Sequence, residues 1–373
     1  MTTIYLIRHA EAEGNLYRIA HGHYDGLITD RGYRQIEALR RRFADITIDA
    51  VYSSDLFRTR TTAAAIYAPK HLPLHTDPDL REVQLGVWEG HTWEEMGREY
   101  PQQMYYFNKQ VDLWQVPESE TAAQARDREM GALRRIVREN PNKTVAVFTH
   151  GAILRIVLGT MQGIPLEGVG KTGHGDNTAV SLVEAEGDNF RVIFRDDNSH
   201  LEKEGLSTFA KQKWWKDAKA VEAGERYAEL SRDDPFYLDC CRAAWEENGG
   251  AATDFSAENA LNAARGGRLI GVWEGERPVG ILLLTPDRDA EEKAGWIDFY
   301  YLIPSYRGRH YGIPPLGQAV QYYRERGCDR LRMSCTEKEQ KTMAYFQQYG
   351  FHALRREGTD TVLEKYIGYG ERV

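Results

Sequence analysis

The stretch YLIRHAE, residues 5–11, decides how the N-terminal half of this chain is interpreted. Thr3 to Ile7 is a short apolar run rich in β-branched residues, which is typical of a buried strand. Because the run ends in a guanidinium and an imidazole, we expect Arg8 and His9 at the carboxyl end of a strand, the edge where open α/β sheets place their ligands. Asn15 follows on the outgoing loop. A single histidine there either packs or does chemistry, and the rest of the chain must decide between the two.

Two further apolar runs are also followed directly by polar residues. Ile48 to Tyr52 leads into a segment rich in hydroxyl groups that contains Arg58, whose planar fork suits bidentate binding of a phosphate. Thr144 to Phe148 leads in the same way into His150. Helical patterns lie between the strands, so a parallel, doubly wound α/β sheet is predicted, with these three strand ends at one edge.

The segment LREVQLGVWEG, residues 80–90, supplies a carboxylate, Glu82. We expect its aromatic and apolar neighbours to raise its pKa, so that it holds a proton for donation. The histidines of the loop His21–Asp25 are more typical of a solvated rim than of a metal-ligand pair. This loop and the aromatic, helical segment Trp93–Trp114 are expected to set substrate specificity. The aromatic segment either covers the site or packs in the core.

These motifs resemble, in order and spacing, those of the histidine phosphatase superfamily, also called phosphoglycerate mutase-like: LIRHAEAEGN, GHYDGLITDRG, SSDLFRTRTTA, LREVQLGVWEG and FTHGAILR. The resemblance covers residues 1–200 and implies a doubly wound α/β sandwich that hydrolyses a small phosphorylated metabolite without a metal or another cofactor. Ala10 departs from the family, which usually has glycine at this position.

The resemblance also implies a role for each site residue. His9 is the nucleophile that forms a phosphohistidine, and Glu82 protonates the leaving oxygen. The phosphate oxygens are bound by four side chains: Arg8, Asn15, Arg58 and His150. A phosphoglycerate mutase-like phosphotransferase is the alternative. The compact stretch between Glu82 and His150 favours hydrolysis, because mutases of the family have longer insertions there.

Length and composition set the outer limits. A chain of 373 residues favours two domains. We predict a histidine phosphatase domain at residues 1–200, a linker or docking helix at 201–224 and a second domain at 225–373. The net charge of -8 gives no reason to expect nucleic acid as a partner, and no run of residues is apolar enough to span a membrane. Four cysteines without metal-ligand spacing indicate reduced thiols in a cytoplasmic protein.

The second half contains helices and strands around a basic, glycine-flanked loop, PSYRGRHYG, residues 304–312. Such a loop before a helix presents amide groups to an anion such as a pyrophosphate. The order of elements, with IDFYYLIPSYRGRHYG and TMAYFQQYGF, resembles the GNAT acetyltransferase family and its α+β fold. The resemblance implies transfer from acetyl-CoA to an amine. Asp298, on the strand before the loop, is the candidate base for deprotonating the amine, and the alternative is a surface strand residue. The cofactor would contact Leu302, Arg307, Gly308, Arg309, His310, Tyr311 and Gly312.

Three departures from the GNAT pattern bear on activity. His310 stands where the loop usually has glycine, and two prolines open the following helix, where they donate no N–H. Phe346 occupies the position of the family's frequent tyrosine acid, for which Tyr345 or Tyr349 are possible substitutes. A non-catalytic acyl-CoA-binding regulatory module is therefore the alternative for this half.

Overall fold

A computed structural model describes residues 1–211, 225–286, 288–308, 311–336 and 340–369. The chain divides into two compact units, residues 1–221 and 222–373. The exact domain boundaries predicted above stay a prediction, and Trp214 and Trp215 of the expected docking helix lie outside the described residues.

The first unit is built on a six-stranded sheet in the order β3-β2-β4-β1-β5-β6. The strands β1 to β4 are parallel and β5 and β6 form an antiparallel hairpin at one edge. Their bounds are β1 Thr2–Arg8, β2 Ala50–Ser53, β3 Leu74–Thr76, β4 Thr144–Thr149, β5 Val180–Glu186 and β6 Asn189–Asp197.

Helices cover both faces of this sheet. They are α1 Glu13–Tyr17, α2 Asp30–Arg42, α3 Phe57–Tyr67, α4 Trp93–Glu99, α5 Pro101–Lys109, α6 Ala122–Glu139, α7 Gly151–Met161, α8 Leu166–Val169 and α9 Thr208–Lys211. Alternate residues of β1 enter different cores: Ile4 and Leu6 pack with α6 and α7, whereas Ile7 packs with α2 and α3. A strand buried on both faces has to be apolar throughout, which explains the continuous apolar run. The predicted doubly wound α/β class is confirmed.

The register of the sheet aligns the strand ends that the sequence singled out. Arg8 pairs with Thr149 across β1 and β4, and Ser53 pairs with Phe148 across β2 and β4. Since β4 lies between β2 and β1, the residues after these three strands emerge side by side at one edge.

The second unit is a seven-stranded sheet in the order β12-β13-β11-β10-β9-β8-β7. Its strands are β7 Glu225–Leu230, β8 Arg268–Glu274, β9 Arg277–Thr285, β10 Ala294–Leu302, β11 Arg330–Thr336, β12 His352–Glu357 and β13 Asp360–Tyr366. Its helices are α10 Pro235–Glu247, α11 Ala257–Ala263, α12 Pro314–Glu325 and α13 Gln340–Gln347. The predicted α+β arrangement, consistent with a GNAT fold, is confirmed. The sequence reasoning missed the strands β7 and β12, which lie at the two edges of the sheet where burial gives a weak pattern.

The strands β10 and β11 separate along their length. They pair in parallel from Ala294 with Arg330 to Ile297 with Met333, and a register shift between Ile297 and Phe299 then marks β10 as bulged. Beyond this point β10 runs on to Leu302 and the basic loop. Within the part of the chain that the structure describes, we find no helix long and apolar enough to cross a membrane.

Candidate functional site

His9 follows β1 with its ring in a defined state. Its Nδ1 lies 2.7 Å from the carbonyl oxygen of Ala10, which only accepts hydrogen bonds, so Nδ1 carries the proton. In the neutral ring Nε2 then keeps its lone pair. The backbone on either side is also held, because the amide of His9 donates to the Thr149 carbonyl and Asn177 Nδ2 donates to the His9 carbonyl. His9 thus presents an unprotonated nitrogen from a rigid support.

His150 faces His9 from the end of β4. The two ring centroids are 5.2 Å apart and the ring planes are inclined by 60°. His150 is fully buried, His9 is 5% exposed, and neither ring nitrogen of His150 has a hydrogen-bond partner. Burial, and next the charge of Arg58, hold the pKa of both imidazoles well below the usual value. Both rings are therefore neutral at physiological pH.

Two guanidinium groups accompany the imidazoles. Arg58, only 1% exposed, donates from Nη1 and Nη2 to the carbonyls of Tyr24 and Gly22 at 3.0 and 2.7 Å. Arg8 donates from Nη1 to the Gly175 carbonyl at 2.7 Å. Burial lowers the pKa of both groups, although arginine stays charged.

The two guanidinium groups are held in place mostly by carbonyl oxygens, which orient them without cancelling their charge. The carboxylate of Asp25 lies 3.6 Å from Arg58. The Nε atoms of Arg8 and Arg58 are buried and have no hydrogen-bond partner. Buried donors of this kind are rare in proteins unless a ligand takes them up. With the single N–H of the neutral His150 ring, whose nitrogens have no hydrogen-bond partner, they form a set of donors suited to an oxyanion.

The side chain of Glu82 lies against the start of α7, the helix that directly follows His150 in the chain. Its two carboxylate oxygens accept hydrogen bonds from the amides of Val83, Ala152 and Ile153 at 2.9, 3.0 and 2.9 Å. A carboxylate at a helix N-terminus is stabilised by the helix dipole and by the free N–H groups there. Glu82 therefore also fixes α7 against the site, a contact that its aromatic sequence neighbours did not indicate.

The sequence reasoning missed two residues of the site. A Cβ added to Gly151 would lie 2.9 Å from Nε of Arg8, so only glycine lets the guanidinium lie against the start of α7. Asn177 bridges the His9 carbonyl and the Oδ1 atom of Asn15, at 3.0 and 3.3 Å. Asn15 in turn accepts from the amide of Ala12, so its amide oxygen supports the loop after His9. The polar triplet Asp176 to Thr178 before β5 was the available signal for Asn177.

The two segments expected to set substrate specificity differ in where they lie relative to the site. The loop His21–Asp25 borders the site: the Nε2 atom of His23 donates to the Glu82 carbonyl, and Glu89 accepts from the amides of His23 and Tyr24. The aromatic segment packs mainly in the core. Trp114 is buried against Phe107 and Trp88 at ring centroid distances of 5.2 and 5.6 Å. Among the described residues, no group of three or more His, Cys, Asp or Glu side chains is arranged to hold a metal ion.

In the second unit the basic loop is partly described. Arg307 donates to the Leu302 carbonyl at 2.7 Å and pairs with the carboxylate of Glu247 at 2.8 Å. Gly308 has a φ of +71°, which favours glycine. The Tyr311 hydroxyl donates to Glu274. Arg309 and His310 lie outside the described residues.

The region beside this loop is lined by tyrosines. The hydroxyl of Tyr300 donates to the Gly312 carbonyl at 2.8 Å. A Cβ on Gly312 would lie 3.2 Å from the Tyr345 hydroxyl, so that hydroxyl approaches the end of the loop. Phe346 is buried. Asp298, the candidate base, accepts from Nη1 of Arg288 at 2.5 Å. Its carboxylate is thus engaged in an ion pair, and its role as a base stays a prediction.

Comparisons with known proteins agree with both halves. Residues 4–198 match the model of the histidine phosphatase superfamily (branch 1), and residues 227–351 match that of the acetyltransferase (GNAT) family. The chain is 30% identical over 201 residues to an uncharacterized phosphatase, PhoE, of Bacillus subtilis (strain 168), covering 54% of this chain and 97% of that protein.

Two further similarities concern the same superfamily. A metal-independent phosphoserine phosphatase of Arabidopsis thaliana is 29% identical over 212 residues, covering 55% of this chain and 86% of that protein. The solved structure of Bacillus stearothermophilus YhfR has a TM-score of 0.52 and 29% identity, covering 54% of this chain and 100% of that chain.

Proposed function

The chain belongs to the histidine phosphatase superfamily (branch 1) and carries a GNAT-family acetyltransferase domain, and on that premise we propose that its first unit hydrolyses a small phosphomonoester through a phosphohistidine. One observation carries the proposal: two neutral, buried imidazoles face each other at 5.2 Å, and the Nε atoms of the two neighbouring guanidinium groups, Arg8 and Arg58, are buried without a hydrogen-bond partner. A phosphate dianion supplies the acceptors and the negative charge that this arrangement lacks.

The proposed reaction has two steps. In the first, the Nε2 lone pair of His9 attacks phosphorus, the P–O bond to the leaving group breaks, and a proton from the carboxyl group of Glu82 passes to the leaving oxygen. In the second, water attacks phosphorus, the P–N bond breaks, and Glu82 takes the proton of the water. Arg8, Arg58 and His150 bind the equatorial oxygens throughout. The hydrogen bond to the Ala10 carbonyl keeps the proton of the His9 ring on Nδ1.

No metal enters this proposal, because side-chain cations supply the positive charge. Curated relatives named as phosphoserine phosphatases make O-phosphoserine a natural member of a substrate screen. The four cysteines are free in the structure, which suits action in the cytoplasm.

The test is release of inorganic phosphate from an aryl phosphate by the full chain. His9→Ala is expected to reduce the rate by a factor of about a thousand or more, as loss of a covalent nucleophile does in other enzymes. His75→Ala, which removes an exposed imidazole from β3, is the matched control. Quenching with denaturant at alkaline pH, where the P–N bond of a phosphohistidine survives, should trap phosphate on the wild type and not on His9→Ala. Equal rates for wild type and His9→Ala would remove His9 from the mechanism.

The same assay separates hydrolysis from phosphotransfer. With a polyol or hydroxy acid added as acceptor, a phosphatase releases one phosphate for each aryl alcohol formed. A mutase-like transferase instead forms aryl alcohol while the phosphoryl group appears on the acceptor. We expect release, and capture by the acceptor without free phosphate would contradict hydrolysis.

For the second unit we propose binding of acetyl-CoA and transfer of its acetyl group to an amine. The separation of β10 from β11 after Ile297 supports this, since it leaves main-chain groups of β10 able to pair with an extended ligand. Leu302, Gly308, Tyr311 and Gly312 lie where that edge meets the loop. Arg307 would have to share its charge with Glu247, and Arg309 and His310 of the same proposed contact set lie outside the described residues.

Calorimetric titration of the full chain with acetyl-CoA tests this second proposal. Heat of binding together with a raised unfolding temperature is expected. Acetyl-CoA that binds without any amine-dependent release of free coenzyme A thiol would favour the regulatory alternative. Absence of both heat and thermal shift would contradict cofactor binding.

A further inference from the structure

A segment near the C-terminal end of the first unit is bound to the residues around the candidate phosphatase site. We name residues 199–209 the connector strap. They follow β6 and lie beyond residue 198, the last residue that matches the superfamily model. The strap comprises a turn of 3-10 helix, Ser199–Glu204, and the start of α9. Its contacts concentrate on residues that hold the phosphate-binding groups.

The first contact is between Phe209 and Arg8. The Cζ atom of Arg8 lies 5.7 Å from the centroid of the Phe209 ring, within the range of a cation–π interaction. The same guanidinium also lies against Gly151 at the start of α7. The ring therefore limits the access of water to a cation that is offered to the phosphate.

The second contact runs through Asp176, a buried carboxylate whose charge acts on Arg8. Asp176 accepts from the Ser207 hydroxyl at 2.5 Å, from the Phe209 amide at 3.4 Å and from the side chain of Asn198 at 3.2 Å. The next residue along, Asn177, donates to the His9 carbonyl. The strap thus holds the loop that supports the nucleophile.

The third contact reaches the loop after His9. Gln35 accepts from the amide of Glu11 and donates to the Leu206 carbonyl and to the Thr208 hydroxyl, at 2.7, 2.9 and 3.0 Å. Thr208 also donates to the Glu11 carboxylate at 3.3 Å. These buried bonds fix the position of the strap beside the site and so limit where the Phe209 ring can lie.

From these contacts we propose that Ser207 and Phe209 are positioning residues of the phosphate site, acting through Arg8 and Asp176. The inference rests on the proposed function of the first unit. The ring keeps Arg8 desolvated and directed at the phosphate, and the Ser207 hydroxyl keeps Asp176 from turning toward Arg8. A charge with less water around it attracts an anion more strongly and is less screened by salt. The strap therefore contributes to phosphate affinity through its contacts with Arg8 and Asp176.

The experiment compares full-chain variants by calorimetric titration with inorganic phosphate, a readout that needs no turnover, and by kcat and KM for an aryl phosphate. Phe209→Ala is expected to raise the Kd for phosphate about fivefold, the effect of losing a cation–π contact between two partly exposed side chains, and to steepen its salt dependence. KM should rise more than kcat falls. Phe209→Tyr keeps the ring and should restore wild-type binding. Ser207→Ala should weaken binding in the same direction, and it tests the proposal independently if Phe209→Ala does not fold.

Phe255→Ala is the matched control. It removes a ring that lies 5.4 Å from the guanidinium of Arg242 in the second unit, and it should leave the Kd for phosphate unchanged. A double-mutant cycle with Arg8→Lys then isolates the route of the effect. If the ring acts through the planar guanidinium, Phe209→Ala has little further effect in the Arg8→Lys background.

Two results would overturn the proposal: wild-type phosphate Kd and salt dependence in both Phe209→Ala and Ser207→Ala, or an undiminished loss in the Arg8→Lys background. If the wild type does not hydrolyse the aryl phosphate but the variants still bind inorganic phosphate more weakly than the wild type does, the proposed hydrolysis is refuted and the role of the strap is supported. An active wild type with no change in the variants would do the reverse.

Discussion

Acidification is expected to destabilise the first unit through His9 and His150. Burial, and next the charge of Arg58, hold the pKa of both imidazoles well below the usual value. In the unfolded chain each imidazole takes up a proton near pH 6.5, whereas in the folded chain the lowered pKa shifts this protonation to more acid pH. Below that pH the unfolded state binds more protons, so the free energy of unfolding falls as the pH falls. The contribution is complete above the unfolded pKa and is lost in acid.

The magnitude follows from proton linkage. An imidazole that stays neutral in the fold and titrates near pH 6.5 when unfolded costs about 2 kcal/mol of stability at pH 5. Two such groups cost at most about 4 kcal/mol, which would be a large part of the 5–15 kcal/mol that stabilises an ordinary domain. Because His150 is fully buried and His9 nearly so, exposure to solvent reduces this figure little.

The assay is urea unfolding of the full chain at about pH 7.5 and about pH 5, comparing wild type with His150→Gln. Glutamine is polar and does not titrate, so the variant loses one of the two linked protons. We expect the stability of wild type relative to His150→Gln to fall by about 2 kcal/mol between the two pH values.

A control of opposite sign is available at His91. The carboxylate of Glu95, 3.7 Å from Nδ1 of the exposed His91 ring, raises the pKa of His91, so that pair stabilises the fold in acid and loses this contribution as the pH rises. His91→Gln should therefore lose a small amount of stability in acid and less at neutral pH. If wild type and His150→Gln lose the same free energy on acidification, then His150 takes up a proton in the fold and the reasoning on neutral imidazoles is wrong.

Three further predictions concern other buried groups. Gly151→Ala places a methyl group 2.9 Å from Nε of Arg8 and should weaken binding of inorganic phosphate about tenfold by calorimetry, at little cost in unfolding temperature. Burial raises the pKa of Glu129 well above its usual value, so its contribution to stability is lost as the pH rises. In urea unfolding, Glu129→Gln should therefore be more stable than wild type at about pH 8, and this difference in free energy of unfolding should be smaller near pH 4. Arg332→Met leaves three carboxylates without their shared cation and should cost about 3 kcal/mol in urea unfolding, against less than about 0.5 kcal/mol for Arg268→Met at an exposed pair.

Several features of the site followed directly from local sequence. The apolar run before Arg8 and the run before His150 had the composition of buried strands, and both form strands of the central sheet. Residues after such strands emerge at the carboxyl edge of a parallel sheet whatever the details of packing. The motif order also identified both families, as the comparisons confirm.

The surroundings of Glu82 did not follow from local sequence. Its neighbours along the chain suggested an apolar pocket, whereas two of the three amides that bind it belong to Ala152 and Ile153. Hydrogen-bond partners that are distant in sequence depend on where a helix start comes to lie. Residue type and spacing carry no information about that position, so the electrostatic environment of a carboxylate is a property of the tertiary structure.

The sequence by itself determined which residues end the strands, and hence that two imidazoles and two guanidinium groups are available for an anion. Only the tertiary structure decided that β1 and β4 are neighbours in the register that sets His9 and His150 at 5.2 Å, and that Phe209 returns to cover Arg8. The physical reason is that strand composition reports burial, which is local, whereas strand order and the path of a connector depend on how whole faces pack together.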